Sequence, residues 1–330
     1  MKKQLSIILP IYNVENYIRP CFESIFKQGL DETIFEVIIV NDGSTDKSIE
    51  MISDIISQHH NVVIINQDNQ GLSVARNNGI NIATGEYILM PDSDDLLVEN
   101  SLALLLKLAL EKKADLIVAD FLKIDANPNS AILTIPPKEF MALEKTGARL
   151  LLDDLNPNEC YVWRTLYRRM FLIDNDISFM PGVRFQDVPF THECYLKAKN
   201  CVRVNKVFYY YRVGRVGAAT ESFNMEKASE FCSVIARTWK LTHIDGLTPD
   251  VGKKLKDDVY TSFSRFSYLS IYGVKDKNNS VVLLKRLKKE VPDMVFTNGF
   301  KQRAISFLYR HCPSIYLDIL KLKSIVGKGL

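Results

Sequence analysis

The chain has 330 residues, about twice the length of a common single domain, so its length predicts two domains or one large domain with extensions. Hydrophobic residues make up 47% and charged residues 25%, as in ordinary globular proteins. This composition excludes a disordered, collagen-like or coiled-coil chain. The formal net charge of +3 is too small to indicate a nucleic-acid-binding protein.

The cysteines and the first residues predict a cytoplasmic protein. The six cysteines lack CxxC or zinc-ligand spacing and are expected to be reduced, mostly buried thiols: Cys21, Cys160, Cys194, Cys201, Cys232 and Cys312. The opening MKKQLSIILPIY resembles a signal peptide, but its apolar run is short and soon reaches Asn13 and Glu15, which favours a buried strand. No stretch approaches the roughly 18 apolar residues of a membrane span.

Residues 1–122 alternate short apolar runs with amphipathic helical patterns. Strands are predicted at Leu5–Tyr12, Phe35–Asn41, Val62–Asn66, Glu86–Pro91 and Asp115–Phe121. Helices are predicted at Tyr17–Lys27, Lys47–Ser57, Leu72–Ala83 and Ser101–Lys112. Strands that alternate with helices indicate an α/β fold with a mostly parallel sheet covered by helices on both faces.

Two changes of pattern divide the rest of the chain. Loop-forming residues at Asn127–Asn129 and Pro136–Pro137 begin a mixed, aromatic-rich segment, which we assign to residues 123–220. Residues 221–330 are mainly helical by pattern and end in a basic stretch. The sequence therefore predicts three parts, at 1–122, 123–220 and 221–330.

Polar residues follow three of the predicted strands. In an open parallel sheet, ligands bind beyond the carboxyl ends of the strands, where Pro10–Asn13, Asn41–Asp46 and Asp92–Asp95 would meet. A GxGxxG after the first strand and a GxxxxGK[ST] anywhere are both missing, which disfavours dinucleotide and P-loop binding. A diphosphate bound here needs another source of positive charge, and a divalent cation on Asp92–Asp95 is the obvious candidate.

These strand-end residues also have structural interpretations. NDGSTD is a good strand–turn–helix linker, in which Gly43 takes an unusual φ and Ser44–Asp46 cap the next helix, leaving Asp42 free at the strand tip. Asp92–Asp95 could equally be a capping cluster before the helix near residue 101. Mutual repulsion of its carboxylates favours a cation site, with Asp95 as the structural member.

Other candidate residues remain ambiguous. Arg76 could be an exposed helical charge, a phosphate ligand or a partner of the acidic residues. Trp163 could stack on a sugar ring or belong to the core. His192 and Glu193 have no partner at metal-ligand spacing and are expected to form the polar face of one helix.

Six segments in order resemble the family 2 glycosyltransferases, which have the GT-A fold. They are ILPIYNVENYI, VIIVNDGSTDKS, NQGLSVARNNGI, GEYILMPDSDD, FQDVPFTHEC and YYYR, and the resemblance spans about residues 4–215. It implies a GT-A (Rossmann-like) sheet flanked by helices, with a helical C-terminal extension. It also implies a metal-assisted inverting hexosyltransferase of the bacterial polysaccharide or capsule type, which moves a sugar from a nucleoside-diphosphate sugar to an acceptor hydroxyl.

The resemblance implies roles for individual residues around the donor. Pro10 and Tyr12 would line the base pocket, and Asp42 would bind the base, typically uracil. Asp92 would lie near the ribose and phosphates, and Asp94 would bind Mn²⁺ or Mg²⁺ directly, so that the two form the DxD motif. Arg76 would line the same nucleotide site, and Arg212 and Arg215 match a region that often touches the diphosphate.

The general base of this family is usually the second residue of a Glu-Asp pair. Here the pair reads Gln186-Asp187 and is followed by Val188–Phe190, so the resemblance makes Asp187 the base and removes one negative charge beside it. Without the resemblance, Asp187 reads as a loop or helix-cap residue.

The resemblance also assigns roles to the three parts and to partners. Residues 1–122 would be the nucleotide-sugar-binding half, and residues 123–220 the acceptor-side half with the base. The basic residues from Lys285 onward indicate either peripheral contact with the inner face of the plasma membrane or a helical cap with a solvated basic face. Relatives often extend glycans carried on membrane lipids, which slightly favours the membrane contact. The acceptor would be a glycan or a lipid-linked saccharide.

Two other functional classes stay open. A nucleotidyltransferase would need a Gly-rich basic loop after the first strand, and Pro10–Asn13 is not one. A non-catalytic nucleotide-sugar-binding assembly protein is disfavoured by Asp92, Asp94 and Asp187, although Gln186 leaves room for it.

Overall fold

The computed structural model describes residues 2–125, 139–215, 223–274 and 276–326. The chain divides into two compact units. The first contains Met1–Leu150, Tyr161–Gly182 and Glu193–Ala218, and the second contains Leu151–Cys160, Val183–His192 and Ala219–Leu330. The predicted boundaries at residues 122 and 220 stay predictions, and the loop predicted at 127–137 lies outside the described residues.

A nine-stranded sheet forms the centre of the first unit. Its strands are β1 (Leu5–Ile11), β2 (Phe35–Asp42), β3 (Val62–Gln67), β4 (Tyr87–Leu89), β5 (Leu96–Leu97), β6 (Leu116–Asp125), β7 (Ala142–Lys145), β8 (Thr165–Arg168) and β9 (Cys201–Val213). The order is β3-β2-β1-β4-β8-β6-β9-β5, and β7 also pairs with β9. The first four strands are parallel, as predicted, and the sheet becomes mixed because β5, β7 and β8 pair antiparallel with their neighbours.

Twelve helices are present in the described residues. They are α1 (Ile18–Phe26), α2 (Ser53–Ile56), α3 (Leu72–Ile82), α4 (Leu102–Lys112), α5 (Gly147–Asp153), α6 (Arg169–Asp174), α7 (Asp187–Lys197), α8 (Met225–Leu241), α9 (Pro249–Leu269), α10 (Lys277–Glu290), α11 (Gly299–His311) and α12 (Pro313–Val326). The last five belong to the second unit, which confirms the helical C-terminal region. Among the described residues, no helix combines the length and apolarity needed to cross a bilayer.

The continuous apolar run of β1 follows from burial on both faces. Leu5, Ile7 and Leu9 belong to the main core, to which α1 and α4 also contribute. On the opposite face, Ile8 meets α3 at Gly79, where an added Cβ would lie 2.3 Å from the Ile8 Cγ2 atom. Gly79 is therefore required for the close approach of α3 to the sheet.

The helix predicted at Lys47–Ser57 is confirmed only for Glu50–Ile56, and its first turn is of the 3-10 type. This 3-10 turn at Glu50–Ile52 is followed by the short α2. The Asp46 carboxylate accepts hydrogen bonds from the Ser48 N–H and hydroxyl at 3.0 and 2.6 Å, and from the Glu15 N–H at 3.0 Å. These side-chain bonds hold the backbone in a turn and compete with helix formation.

The second unit is a helical bundle around an aromatic core. Phe263 on α9 is fully buried, and its ring centroid lies 4.9 Å from Tyr309 and 5.3 Å from Phe296. In the described chain the six cysteines are thiols, and all except Cys312 are buried, which confirms the prediction of mostly buried thiols.

Candidate active site

The loops that follow β1 and β2 are bound to each other. Asn13, at φ 50°, accepts a hydrogen bond from the Thr45 N–H at 2.9 Å, and the Val14 N–H donates to the Ser48 hydroxyl at 2.8 Å. The loops are thus held at one edge of the sheet. Here Tyr12 exposes 48% of its surface, so its ring is accessible to a ligand. Pro10 lies buried in β1.

Asp42 at the end of β2 is not free, contrary to the prediction. Its carboxylate accepts hydrogen bonds from the Gln67 side chain and the Gln70 N–H, both at 2.8 Å, and from the Gly71 N–H at 2.9 Å. Gly71 precedes the first residue of α3, so Asp42 places a negative charge at the positive end of that helix. Asp42 therefore fixes the start of α3.

Helix α3 carries Arg76, which is 2% exposed. Its Nη2 atom lies 2.6 Å from Asp92 Oδ1, and its Cζ atom lies 5.4 Å from the centroid of the Phe179 ring. Asn77 exchanges two hydrogen bonds with the Phe179 backbone and holds that ring in place. Within the described residues, Arg76 Nε has no hydrogen-bond partner. Arg76 is therefore a buried partner of the acidic residues and not an exposed helical charge.

Three carboxylates meet in the loop after β4. Asp92, Asp94 and Asp95 each offer an oxygen, and these oxygens lie within 4.8 Å of one another. The side chains of Asp92 and Asp94 are 31% and 20% exposed. Burial raises the pKa of Asp92 above its ordinary value, and Asp94 adds to this while Arg76 opposes it. The three oxygens are close enough together to bind one cation.

Asp95 is buried and structural, in agreement with the sequence analysis. Its carboxylate accepts hydrogen bonds from the Tyr209 hydroxyl at 2.9 Å and the Arg212 N–H at 2.7 Å. The same Tyr209 oxygen accepts a bond from the Asp92 N–H at 3.0 Å. Burial, together with Asp94 and Asp92, raises the pKa of Asp95 well above its ordinary value. Tyr209 thus links β9 to the loop of residues 92–95, called the acidic loop below. The YYYR motif in the sequence does not indicate this role.

Two arginines from the end of β9 contact Asp94. The Arg212 Nε–H donates to the Asp94 carbonyl at 2.8 Å, and the Arg215 guanidinium forms an ion pair with the Asp94 carboxylate. Their Cζ atoms lie 5.4 and 5.7 Å from the ring centroid of Tyr17, so both guanidiniums contact the same aromatic ring. The sequence analysis did not single out Tyr17.

Trp163 belongs to the core. It is 2% exposed, and its ring stacks between Tyr209, at 4.2 Å and 7°, and Tyr161, at 4.7 Å and 12°. Because both faces are covered, Trp163 cannot stack on a sugar. It supports the Tyr209 ring from behind.

Asp187 lies in the second unit, as the first residue of α7, and is partly exposed. The preceding Phe185 has φ 62°, a rare conformation for a bulky residue, and its ring centroid is 4.8 Å from Phe231. Arg184 donates to the Glu230 carboxylate through its N–H and its guanidinium, both at 2.7 Å. Helix α8 therefore anchors the segment that leads to Asp187.

Gln186 and His192, on either side of Asp187, are buried. Gln186 is 4% exposed, and its Oε1 atom has no hydrogen-bond partner among the described residues. His192 is fully buried and contacts the Val188 carbonyl at 2.7 Å and the Asp258 carboxylate at 3.2 Å. These contacts are structural and tie α7 to α9.

The family model for "Glycosyl transferase family 2" matches residues 6–175, just over half of the chain. The chain belongs to glycosyl transferase family 2. Family membership makes it a glycosyltransferase, with the cluster of Asp92, Asp94 and Arg76 inside the matched segment. Asp187 lies beyond that segment.

Named relatives are glycosyltransferases from several bacteria. Glycosyltransferase GlyG of Streptococcus pneumoniae serotype 4 (strain ATCC BAA-334 / TIGR4) is 29% identical over 242 residues, which are 72% of this chain and 80% of GlyG. The uncharacterized glycosyltransferase YibD of Escherichia coli (strain K12) is 32% identical over 211 residues, 63% of this chain and 61% of YibD.

Solved structures confirm the GT-A fold. S. aureus TarS 1–349 in complex with UDP superposes with a TM-score of 0.76 at 23% identity, over 98% of this chain and 92% of that one. Its complex with UDP-GlcNAc gives a TM-score of 0.74. The mannosyltransferase PcManGT from Pyrobaculum calidifontis, in complex with GDP-Man and Mn²⁺, gives 0.57 at 14% identity, over 99% of this chain and 88% of that one.

Proposed function

We propose that this glycosyltransferase moves a sugar from a UDP-sugar to a hydroxyl of a glycan or lipid-linked acceptor, with inversion and with a divalent cation. The observation that carries the proposal is the group of three carboxylate oxygens within 4.8 Å, bordered by arginines, in a family 2 chain. A diphosphate leaving group needs this combination of acidic ligands for a cation and cationic side chains for its oxygens.

Two observations support a UDP-sugar as the donor: the residues at the carboxyl ends of β1 and β2, and the ligands bound to a related protein. Tyr12 offers an exposed ring beyond β1, next to Pro10, and Asp42 lies at the end of β2, where a base would bind. TarS was solved with UDP and UDP-GlcNAc, and its name is poly(ribitol-phosphate) beta-N-acetylglucosaminyltransferase. These properties of TarS support a UDP-sugar donor and a polymeric acceptor here.

Asp92 and Asp94 would hold the cation. Both are partly exposed, and hard divalent cations such as Mn²⁺ and Mg²⁺ prefer carboxylate and phosphate oxygens, so this donor set fits. When bound, the cation would neutralise charge that gathers on the departing diphosphate. Arg76 and Arg212 would fix the position of the acidic loop and donate hydrogen bonds to the phosphate oxygens.

Asp187 would remove the proton from the acceptor hydroxyl. Displacement with inversion requires a base on the face of the sugar opposite the leaving group. Asp187 is partly exposed and follows an anchored segment, and its neighbour Gln186 adds no competing negative charge. An aspartate is ordinarily ionised at neutral pH, as a general base must be.

Substitution of Asp187 tests the base. We expect Asp187→Asn to lower turnover about 10²- to 10⁴-fold and to leave UDP binding unchanged, because only proton transfer is lost. Asp54→Asn, on an exposed aspartate paired with Arg19, is the matched control and should keep full activity. Transfer at the wild-type rate by Asp187→Asn would remove Asp187 from this role.

A panel of nucleotide sugars, scored by metal-dependent hydrolysis and transfer, tests the reaction itself. We expect UDP-sugars to turn over with Mn²⁺ or Mg²⁺, and Asp94→Ala to lose cation-dependent donor binding. Binding without turnover of any donor would favour the non-catalytic nucleotide-sugar binder. Activity that survives strong chelation would contradict the cation assignment.

The second unit presents an exposed face that fits an anionic membrane. On α11, Phe300 and Phe307 are 88% and 60% exposed, and their spacing of seven residues places them on one face with Arg303. Exposed cations nearby in the sequence include Lys301. Aromatic side chains between basic ones are typical of helices that lie at the lipid interface. We therefore propose α11 as the surface for a peripheral membrane contact.

Liposome co-sedimentation tests this contact. Anionic vesicles should retain the protein at low salt, where each cation near the surface contributes about 1 kcal/mol to binding. They should release part of it at high salt, because salt screens this attraction. Phe300→Ser with Phe307→Ser should weaken retention, whereas Met170→Ser, an equally polar change at an exposed residue of the first unit, should not. Equal retention of all variants would contradict this placement.

A further inference from the structure

The acidic loop of residues 92–95 already has counter-ions among the chain's own side chains. Asp92 pairs with Arg76, and Asp94 contacts both Arg212 and Arg215. The carboxylates of Asp92 and Asp94 thus each have a guanidinium partner, and a third guanidinium, that of Arg212, bonds the Asp94 carbonyl. A divalent cation that entered this cluster alone would create excess positive charge, which is unfavourable in a largely buried setting.

The three arginines differ in how firmly they are held. Arg76 is 2% exposed and fixed over Phe179, and Arg212 is 5% exposed and bonded through its backbone to Asp95. The Arg215 side chain is 18% exposed and contacts the carboxylate of Asp94, which is 20% exposed. Of the three guanidiniums, that of Arg215 can therefore move away from its carboxylate partner at the lowest cost in free energy.

We propose that Arg215 is a displaceable counter-ion of Asp94 that makes cation binding depend on the nucleotide. The inference rests on the proposed function, in which Asp94 holds the cation. Without nucleotide, Arg215 occupies the Asp94 oxygen and competes with Mn²⁺. When a nucleoside diphosphate is present, Arg215 exchanges its carboxylate partner for phosphate oxygens, and Asp94 becomes available.

This exchange predicts a coupling between the two ligands. The apparent affinity for Mn²⁺ alone is reduced by the fraction of molecules in which Arg215 covers Asp94. Each ligand must then raise the affinity of the other by the same factor, and such factors are typically about 5- to 150-fold. Phosphate oxygens that bind the cation directly also couple the two ligands, so the contribution of Arg215 is the part of the coupling that Arg215→Gln removes.

Mn²⁺ binding, measured by the EPR signal of the free ion with and without UDP, tests the proposal. In the wild type, UDP should raise the Mn²⁺ affinity at least about tenfold. Arg215→Gln should bind Mn²⁺ alone about five- to tenfold more tightly than the wild type, and UDP with Mn²⁺ about tenfold more weakly. Arg215→Lys should give affinities between those of the wild type and Arg215→Gln, because lysine keeps the positive charge but lacks the two parallel N–H donors of the guanidinium.

Arg19→Gln is the matched control, since Arg19 also pairs with an aspartate of the first unit but lies outside the cluster. It should match the wild type in both measurements. If Arg215→Gln and Arg215→Lys bind Mn²⁺ alone no better than the wild type, the counter-ion role is refuted while the cation site stands. If the wild type binds no Mn²⁺ even with UDP, the cation assignment of the proposed function fails, and this inference fails with it.

Discussion

Tyr209→Phe removes a single oxygen from the centre of the acidic site. That oxygen donates to Asp95 at 2.9 Å and accepts from the Asp92 N–H at 3.0 Å. The ring is fully buried and stacks on Trp163 at 4.2 Å, so phenylalanine should occupy the same place. The substitution therefore isolates the two hydrogen bonds from the packing.

The expected loss of stability follows from the burial of the two partners. Asp95 is 1% exposed, so no water replaces the lost donor, and an unsatisfied buried group costs about 1–3 kcal/mol. The Asp92 N–H loses its acceptor in a partly buried hydrogen bond, at a cost of about 1 kcal/mol. The total is about 2–4 kcal/mol, or roughly 5–15 °C in Tm for a unit of this size.

The loss should also depend on pH. Burial raises the pKa of Asp95, and the Tyr209 hydroxyl opposes this rise, so the variant holds its Asp95 proton to a higher pH than the wild type. A carboxyl group with a raised pKa stabilises the fold most below its unfolded pKa, and this contribution is lost as the pH rises through the folded value. The difference between the two proteins should thus be larger at about pH 8 than at about pH 5.

Thermal unfolding at the two pH values, together with UDP-dependent Mn²⁺ binding, measures both effects. Tyr87→Phe is the control, because the Tyr87 hydroxyl is also buried and contacts two carbonyls, of Ala109 and Ala114, at 2.7 and 2.9 Å. Both variants should lose stability, but only Tyr209→Phe should weaken Mn²⁺ binding. Normal Mn²⁺ binding by Tyr209→Phe would refute the view that this hydroxyl positions Asp92.

Three further outcomes are expected. Burial would raise the pKa of Asp115, but hydrogen bonds from Arg168 and two backbone N–H groups outweigh it and lower this pKa. Asp115→Asn should therefore lower the free energy of unfolding in urea by about 1.5–3 kcal/mol at neutral pH. The difference from the wild type should vanish as acid protonates Asp115. Gln186→Glu adds a negative charge beside Asp187, so the acid limb of the pH–rate profile should move up by about one pH unit; an unmoved profile would contradict Asp187 as the base. Glu230→Ala frees the segment before α7, and steady-state kinetics should show a roughly tenfold lower kcat with little change in KM for the donor.

The sequence predicted the first half of the fold well because its signals are local. The run Leu5–Ile11 is buried on both faces, and a continuous apolar stretch of that length indicates such a strand. The observed bounds of α3 and α4 differ from the predicted ones by only one residue. The prediction was wrong only at the start of the helix at residues 47–57, where the Asp46 side chain binds the backbone of a loop 31 residues earlier. No local pattern reveals such a partner.

The acidic loop was predictable for a different reason. Asp92 and Asp94 are close in sequence, and their mutual repulsion needs no fold to be recognised. Their partners Arg76, Tyr209 and Arg215 come from other segments, between 16 and 121 residues away, and spacing alone cannot rank them. The Asp42 carboxylate shows the same limit. It looked free at a strand tip because its donors at residues 67, 70 and 71 belong to the next strand and helix.

The path of the chain has a practical consequence for protein fragments. The backbone passes from one compact unit to the other five times, after residues 150, 160, 182, 192 and 218. A gene product truncated near residue 220 would keep Arg184 and Phe185 but lose Glu230 and Phe231, to which they are bound. Deletion of the helical bundle would therefore leave the segment before Asp187 without its support, and such a fragment should retain nucleotide binding more readily than turnover.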